Sequence, residues 1–231
     1  MKNSIIIAAR EAGNFLLDII FPRRCILCGK EGASFCAGCR SKMPHDTTPV
    51  MRHIVSLWRY DNETVRRALW ELKYRGKQTL ARDMAESLYD KILETLAENE
   101  LYRNPAGNAE NACTYLVVPI PIHKKREKER GYNQSELLAE ELARLDPSLF
   151  ILEKNALLKI KATPSQVSVK DRDKRLKNIR GSFGIKNEKS VEGKNVLVVD
   201  DITTTGATLE EARIALLKAG AKSVLCATVA H

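Results

Sequence analysis

The 231-residue sequence lacks any apolar run long enough to cross a membrane. Two short apolar runs near its start, Ile5–Ile7 and Phe15–Leu17, are interrupted by Arg10, Glu11 and Asp18. No cleavage site of small residues follows them, so we expect no secretory signal here. The sequence predicts a cytoplasmic protein with no transmembrane segment, whose amphipathic first helix packs on its own domain.

Aromatic residues are also few, at 6% of the chain, whereas positive charge is in surplus at +9. A surplus of positive charge favours an anionic partner. The candidates are a phosphorylated small molecule, a nucleic acid and a membrane surface. Near the cationic stretches only Tyr74 and Tyr132 are aromatic, so the sequence shows no evident platform for stacking bases.

Two common nucleotide-binding motifs are missing. No lysine follows Gly206, which excludes a Walker loop, and no G-x-G-x-x-G occurs near it. Instead, Val196–Val199 is a short apolar run typical of a strand buried on both faces of a parallel sheet. Two acids and a loop of threonine and glycine follow it, before the helical apolar pattern of Leu209, Ala212, Leu216 and Ala219 and a further strand at 224–229.

The loop after the strand has the chemistry of a phosphate site. Unpaired backbone N–H groups at a helix N-terminus attract an anion, and threonine hydroxyls add donors. Gly206 lets the backbone approach without a Cβ. Asp200 and Asp201 would repel a phosphate, but they can accept hydrogen bonds from two neighbouring sugar hydroxyls. The pattern therefore indicates a ribose 5-phosphate, and the alternative is an ordinary strand–helix turn capped by threonine.

These residues resemble the phosphoribosyl pyrophosphate (PRPP) motif of type I phosphoribosyltransferases. The resemblance implies that Asp200 and Asp201 hold the ribose hydroxyls. It also implies that the following loop binds the 5′-phosphate through Thr203, Thr204, Thr205, Gly206, Ala207 and Thr208.

Four cysteines, Cys25, Cys28, Cys36 and Cys39, form two C-x-x-C pairs separated by seven residues. Four thiolates satisfy a tetrahedral zinc completely, which predicts a structural Zn²⁺ rather than a catalytic one. An iron–sulfur cluster is the main alternative, and disulfides do not suit a chain without an export signal. We expect the remaining cysteines, at 113 and 226, to lie in the core.

The rest of the chain alternates strands and helices. Strands are predicted at Ile54–Trp58, Tyr115–Val118 and Leu157–Ile160. Helices are predicted from a cap at 61 or 62 to Leu72 and over Leu80–Leu96.

Two cation-rich stretches separate the later elements of this pattern. The first is predicted to be a loop after the Tyr115–Val118 strand and contains Lys124, Lys125, Arg126 and Arg130. The second, around Arg172, Lys174 and Arg175, suits either a mobile lid or a solvated helix.

Between Phe21 and Val229 the sequence contains, in this order, the four-cysteine module, V-P-I-P, R-G-Y-N-Q-S, T-x-S-Q, R-x-x-N-I-R-G-S-F and V-V-D-D-x-x-T-T-G-A-T. Together they resemble the ComF family of competence proteins, associated with uptake of transforming DNA. The resemblance implies an α/β phosphoribosyltransferase fold over 50–231, after an N-terminal helix and zinc module over 1–49.

The same resemblance implies a set of ligands and roles. They are PRPP with Mg²⁺, pyrophosphate at Lys124, Lys125, Arg126 and Arg130, and catalytic roles for Asp200, Asp201, Arg172 and Arg175. Single-stranded DNA and the competence machinery are further expected partners. Three functions stay open at this point: a DNA-handling competence factor, an active phosphoribosyltransferase whose acceptor is unassigned, and a PRPP-sensing regulator.

Overall fold

The computed structural model describes residues 22–47, 51–98, 114–160 and 181–231. It divides the chain into two compact units, with the boundary between Met43 and Pro44. The Arg172 and Arg175 positions, together with Lys174 and Cys113, lie outside the described residues. Among the helices that are described, none is both long and apolar enough to cross a membrane.

The smaller unit contains one short helix, α1 (Ala37–Arg40), between two turns that carry the cysteines. The larger unit begins with strand β1 (Ile54–Trp58) and helices α2 (Glu63–Tyr74) and α3 (Thr79–Glu98). Strand β2 (Tyr115–Pro119), helices α4 (Lys124–Arg130) and α5 (Gln134–Leu145), and strand β3 (Phe150–Leu152) follow. The remaining elements are β4 (Leu157–Lys159), β5 (Phe183–Ile185), a 3-10 turn (Glu188–Ser190), β6 (Asn195–Ile202), α6 (Ala207–Lys218) and β7 (Ser223–Ala230).

Five strands form a parallel sheet in the order β1–β7–β6–β2–β3. The central strand β6 pairs with β2 so that Pro119 lies opposite Val199. The carboxyl ends of both strands therefore meet at one edge of the sheet, where parallel α/β folds bind ligands. Strands β4 and β5 form a separate antiparallel pair.

The core lies on both faces of this sheet. Val196 and Val198 of β6 pack in one cluster with Leu209 and Leu216 of α6. Leu197 and Val199 alternate with them and are equally buried. Helix α5 contacts β2 and β6, and it also packs against α3. Burial on both faces explains why this strand consists of consecutive branched apolar residues instead of an alternating pattern.

Most of the predicted strands and helices are confirmed, with three differences. The cation-rich stretch after β2 is a helix, α4, and not a loop. Its sequence is charged at every position, so it lacks the apolar periodicity from which a helix is recognised. Strand β3 has only three residues and gave no signal. Strand β6 continues through both acids to Ile202 instead of ending before them.

Candidate functional site

The four predicted zinc ligands come together in the smaller unit. Their sulfur atoms all lie within 4.8 Å of one another. The first pair is held in a tight turn, where the Gly29 N–H donates to the Cys25 carbonyl at 3.0 Å. Gly29 has a φ of +71°, which a side chain would disfavour. Cys36 caps α1, and the helix turns Cys39 back toward it.

The spacing of the thiols fits a zinc ion. The sulfurs of Cys28 and Cys36 are 3.7 Å apart. A tetrahedron with Zn–S bonds of about 2.3 Å has sulfur–sulfur edges of about 3.8 Å. A disulfide would need about 2.05 Å. The cluster is therefore a structural zinc site, with no coordination position left for a substrate.

The acid pair lies at the carboxyl end of β6, and each acid is held by a different element. The Ser135 hydroxyl at the start of α5 donates to Asp200 Oδ1 at 2.8 Å, and the backbone N–H of Asp201 donates to the same oxygen at 2.8 Å. Asp201 is 8% exposed and forms an ion pair with Lys73 of α2, at 3.0 Å. Sequence reasoning did not identify Ser135 or Lys73 as part of this site.

Ser135 reaches Asp200 because the preceding residues are themselves anchored. The Asn133 side chain caps α5 by accepting from the Ser135 N–H at 3.1 Å, and it donates to the Ile120 carbonyl at 3.0 Å. The Tyr132 hydroxyl donates to the Leu72 carbonyl of α2. The R-G-Y-N-Q-S stretch thus fixes α5 against the end of β2 and against α2. This structural role accounts for polar residues at the start of an amphipathic helix.

Burial and the charge of Asp201 raise the pKa of Asp200 from 3.8 to about 7. The Ser135 and Asp201 hydrogen bonds and the Lys73 ammonium lower it, but less strongly. Asp201 is buried and Asp200 is only partly exposed, so keeping both carboxylates charged is costly. Such arrangements are concentrated at functional sites. The pair therefore favours a ligand site over an ordinary strand end.

The loop after β6 leads directly into α6. Gly206 caps the helix with a φ of +74°, in the left-handed region that favours glycine. Its N–H donates to the Thr203 hydroxyl at 3.1 Å, and the Ala207 N–H approaches the Thr205 hydroxyl at 3.4 Å. The hydroxyls and backbone donors predicted to bind phosphate therefore lie together at a helix N-terminus.

A contact that the sequence did not predict holds the other side of this loop. The ring of His231 lies between the Asp46 carboxylate, 3.1 Å from Nδ1, and the Thr204 carbonyl, 3.0 Å from Nε2. Both partners only accept hydrogen bonds, so the two contacts are satisfied together when the ring is an imidazolium. The Asp46 side chain is 1% exposed. A buried carboxylate thus positions the loop through His231.

The predicted cationic residues are only partly near the acids. Helix α4, which begins at Lys124 and Lys125, follows the carboxyl end of β2. Burial lowers the pKa of Lys159 in β4, the charge of Asp200 raises it, and the charge of Arg126 lowers it. The charged groups of Asp200 and Arg126 therefore both lie near Lys159. Arg130 instead contacts Gln134 at 2.9 Å and the Tyr74 hydroxyl at 3.4 Å. Lys159 was not identified from the sequence.

Comparisons with known proteins agree with this geometry. The family described as "Phosphoribosyl transferase domain" matches residues 134–231, which include Ser135, the acid pair and the loop. The family described as "Double zinc ribbon domain" matches residues 16–51, which include the four cysteines. The larger unit therefore carries a phosphoribosyltransferase domain, and the four cysteines of the smaller unit lie within a match to a double zinc ribbon.

Curated relatives extend the match over nearly the whole chain. "Competence protein F" of Haemophilus influenzae is 29% identical over 208 residues, which cover 87% of this chain and 81% of that protein. "Competence protein ComFC" of Bacillus subtilis is 42% identical, over 46% of this chain and 40% of its own length. "DNA utilization protein YhgH" of Escherichia coli is 33% identical, over 49% of each chain. The resemblance to the ComF family is confirmed.

The ComF-like chain spans less than half of the ComFC and YhgH sequences in these matches, and most of the competence protein F sequence. What the comparisons establish is the pairing of a zinc ribbon with a phosphoribosyltransferase domain in one ComF-like chain.

The zinc site yields a first prediction. Anaerobically purified ComF-like protein should contain one Zn²⁺ per chain, because four thiolates saturate a tetrahedral ion. Cys28→Ser should lose it, since three thiolates bind far more weakly, whereas Cys226→Ala, in the core of the larger unit, should retain it. Metal analysis decides the outcome. Zinc-free protein, or iron with acid-labile sulfide, would contradict the assignment.

The raised pKa of Asp200 yields a second prediction. Between about pH 4 and pH 7 the folded state keeps a proton that the unfolded chain releases, so this contribution to stability is lost as pH rises through about 7. Asp200→Asn does not titrate. Its stability relative to wild type should therefore increase from pH 5 to pH 8, by on the order of a few kcal/mol.

Urea unfolding at the two pH values measures this difference. Asp61→Asn is the matched control, because Asp61 is exposed and its pKa is lowered by Arg59. A stability difference between Asp200→Asn and wild type that is the same at both pH values would show that Asp200 carries no raised pKa.

Proposed function

We propose that this chain binds PRPP with Mg²⁺ and acts in natural competence, on single-stranded DNA in the cytoplasm. The observation that carries the proposal is the placement of Asp200 and Asp201 beside a threonine and glycine loop, at the carboxyl end of the central parallel strand. Carboxylates suit ribose hydroxyls, and a helix N-terminus suits a phosphate.

Each part of the ligand meets a group that complements it. The ribose 2′- and 3′-hydroxyls donate to the acid pair, which Lys73 and Ser135 keep oriented. The 5′-phosphate accepts from the loop between Thr203 and Thr208. The pyrophosphate meets the positive charge of Lys124, Lys125 and Arg126 after β2. Mg²⁺ neutralises pyrophosphate oxygens and needs few protein ligands.

The competence role is supported by the relatives named competence protein F and ComFC, and by YhgH, which is named for DNA utilization. The net charge of +9 exceeds what one PRPP needs and suits a polyanion. The four reduced thiols of the zinc site fit the cytoplasm, where thiols are not oxidised to disulfides.

Phosphoribosyl transfer is a second candidate, favoured by Lys159. This half-buried amine has a lowered pKa and lies near Asp200, so it is neutral more often than an ordinary lysine and is then free to act as a base. In the reaction an acceptor nucleophile bonds to C1 of the ribose, the C1–oxygen bond breaks, and pyrophosphate leaves with the electron pair. Pyrophosphate release in the presence of candidate bases and amines measures this activity.

The test of PRPP binding is the double variant Asp200→Asn/Asp201→Asn. It removes both negative acceptors for the ribose hydroxyls, so we expect its PRPP affinity to fall at least about a hundredfold, since hydrogen bonds to charged groups contribute about 1.5–3 kcal/mol each. Isothermal titration calorimetry with Mg²⁺ measures the affinity, and circular dichroism checks the fold. An affinity equal to that of wild type would remove the assignment.

In a competent host, the same variant tests whether the role in competence depends on PRPP binding. When it replaces the wild-type gene, transformation should fall toward the level of the deletion strain if competence depends on PRPP. An Asp61→Asn strain, altered at an exposed acid, is the control. Normal transformation in the deletion strain would contradict the competence role and leave phosphoribosyl transfer as the function.

A further inference from the structure

Helix α2 exposes two large aromatic rings on its solvent side. Trp70 is 46% exposed and Tyr74 is 59% exposed. Their ring centroids are 6.0 Å apart and the planes are inclined at 46°. The two residues are one helical turn apart, so the helix itself holds them side by side. Large aromatic side chains kept in water at this spacing suggest a surface built for contact.

A guanidinium lies over each ring. The Arg75 guanidinium is 5.2 Å from the centroid of Trp70, and that of Arg130, from α4, is 5.1 Å from the centroid of Tyr74. Arg130 is fixed there because its guanidinium donates a hydrogen bond to the side-chain oxygen Oε1 of Gln134, at 2.9 Å. Residues from two helices thus form a continuous row in the order Arg75, Trp70, Tyr74 and Arg130, which we call the stacking row.

Along α2 and the turn after it, the exposed neighbours of the stacking row are cationic and include no aliphatic residue. Among the exposed residues from 66 to 78, the others are Arg66, Arg67, Gly76, Lys77 and Gln78. The nearby acid Glu71 is paired with Lys77 at 2.9 Å. The surface therefore presents flat aromatic faces within a positive field.

We propose that the stacking row is a binding surface for single-stranded nucleic acid. Such a strand offers flat bases and anionic phosphates in alternation, which matches rings and guanidiniums in alternation. Base-on-aromatic stacking and arginine contacts are the usual means of binding single strands without sequence preference. The inference rests on the proposed DNA-handling role and assigns it to a surface.

Other partners fit the stacking row less well. A membrane surface would need leucine, isoleucine or phenylalanine beside the tryptophan to enter the acyl region, and the exposed residues of segment 66–78 include none. A duplex hides its bases from stacking, so it could use only the cations. An acidic peptide could pair with Arg75 and Arg130 but has no need of the rings.

The position of α2 places this surface next to the proposed PRPP pocket. Lys73, which lies between Trp70 and Tyr74 along the helix, turns inward to Asp201 at 3.0 Å. One helix thus carries a pocket residue on its inner side and the stacking row on its outer side. The two surfaces share no side chain, so binding of an oligonucleotide and of PRPP can be measured separately.

Intrinsic fluorescence reports on the stacking row directly. The chain has two tryptophans, and Trp58 is 1% exposed, so quenching by a stacked base reports on Trp70. Titration of the full chain with a short oligothymidylate should quench the emission. Trp70→Phe should remove the quenching and retain most of the affinity, because phenylalanine also stacks.

Affinity measured by anisotropy of a labelled oligothymidylate separates stacking from charge. Trp70→Ala/Tyr74→Ala should weaken binding about tenfold to a hundredfold, with no change in the slope of log affinity against log salt. Arg75→Gln should reduce that slope by about 0.7, the value for one lost phosphate contact on a single strand. The matched controls are Tyr60→Ala and Arg144→Gln, at an exposed tyrosine and an exposed arginine elsewhere.

The outcomes distinguish the inference from the function on which it rests. Absence of oligonucleotide binding by wild type at low salt overturns both the stacking row and the DNA-handling role. Wild-type affinity in the Trp70→Ala/Tyr74→Ala variant overturns the stacking row alone. Quenching by anionic phospholipid vesicles but not by oligothymidylate overturns it in favour of a membrane. If the wild-type chain binds the oligonucleotide but not PRPP, the PRPP proposal is wrong and the stacking row is unaffected.

Discussion

Two adjacent carboxylates, Asp200 and Asp201, lie near the carboxyl end of β6 after four fully buried residues, and the surrounding elements hold them there. Their mutual repulsion and burial raise the pKa of Asp200 to about 7. Ser135 from α5 and Lys73 from α2 offset part of that cost. A carboxylate pair with a strongly raised pKa is typical of a functional site, which supports a ligand site here.

The loop that follows the acids is held from the opposite side. His231 links the Thr204 carbonyl to the buried carboxylate of Asp46, and the Tyr60 N–H donates to the His231 carbonyl at 2.8 Å. The loop is therefore fixed at its start by β6, at its end by Gly206 and α6, and in the middle by His231. Because the loop is already fixed, binding a phosphate costs less conformational entropy than it would with a flexible loop.

The sequence predicted the parts of the structure that depend on local pattern. The buried strand β6, the helices α2 and α3 and the four-cysteine cluster each follow from residues close together in the chain. The acid pair and the loop were also recognised, because strand, acids and glycine are consecutive. The contacts of Ser135, Lys73 and His231 were not, since each joins residues far apart in sequence that only the folded sheet brings together.

The same distinction explains the aromatic residues. Along the sequence Tyr74 and Tyr132 appeared isolated, and no stacking surface was evident. In the folded chain, helical spacing sets Trp70 beside Tyr74, and a second helix adds Arg130. Tyr132 has a different role, since its hydroxyl donates to the Leu72 carbonyl. Surface function of this kind depends on which faces of neighbouring helices coincide, which the linear order of residues does not specify.

The central claim is that the acid pair and the loop together recognise a ribose bearing phosphates at both ends. The most direct measurement is a calorimetric titration of the wild-type chain with PRPP, ribose 5-phosphate and pyrophosphate in turn, each with Mg²⁺. We expect PRPP to bind most tightly and ribose 5-phosphate to bind measurably, because it retains the hydroxyls and the 5′-phosphate. Equal binding of PRPP and pyrophosphate, with none of ribose 5-phosphate, would contradict the account.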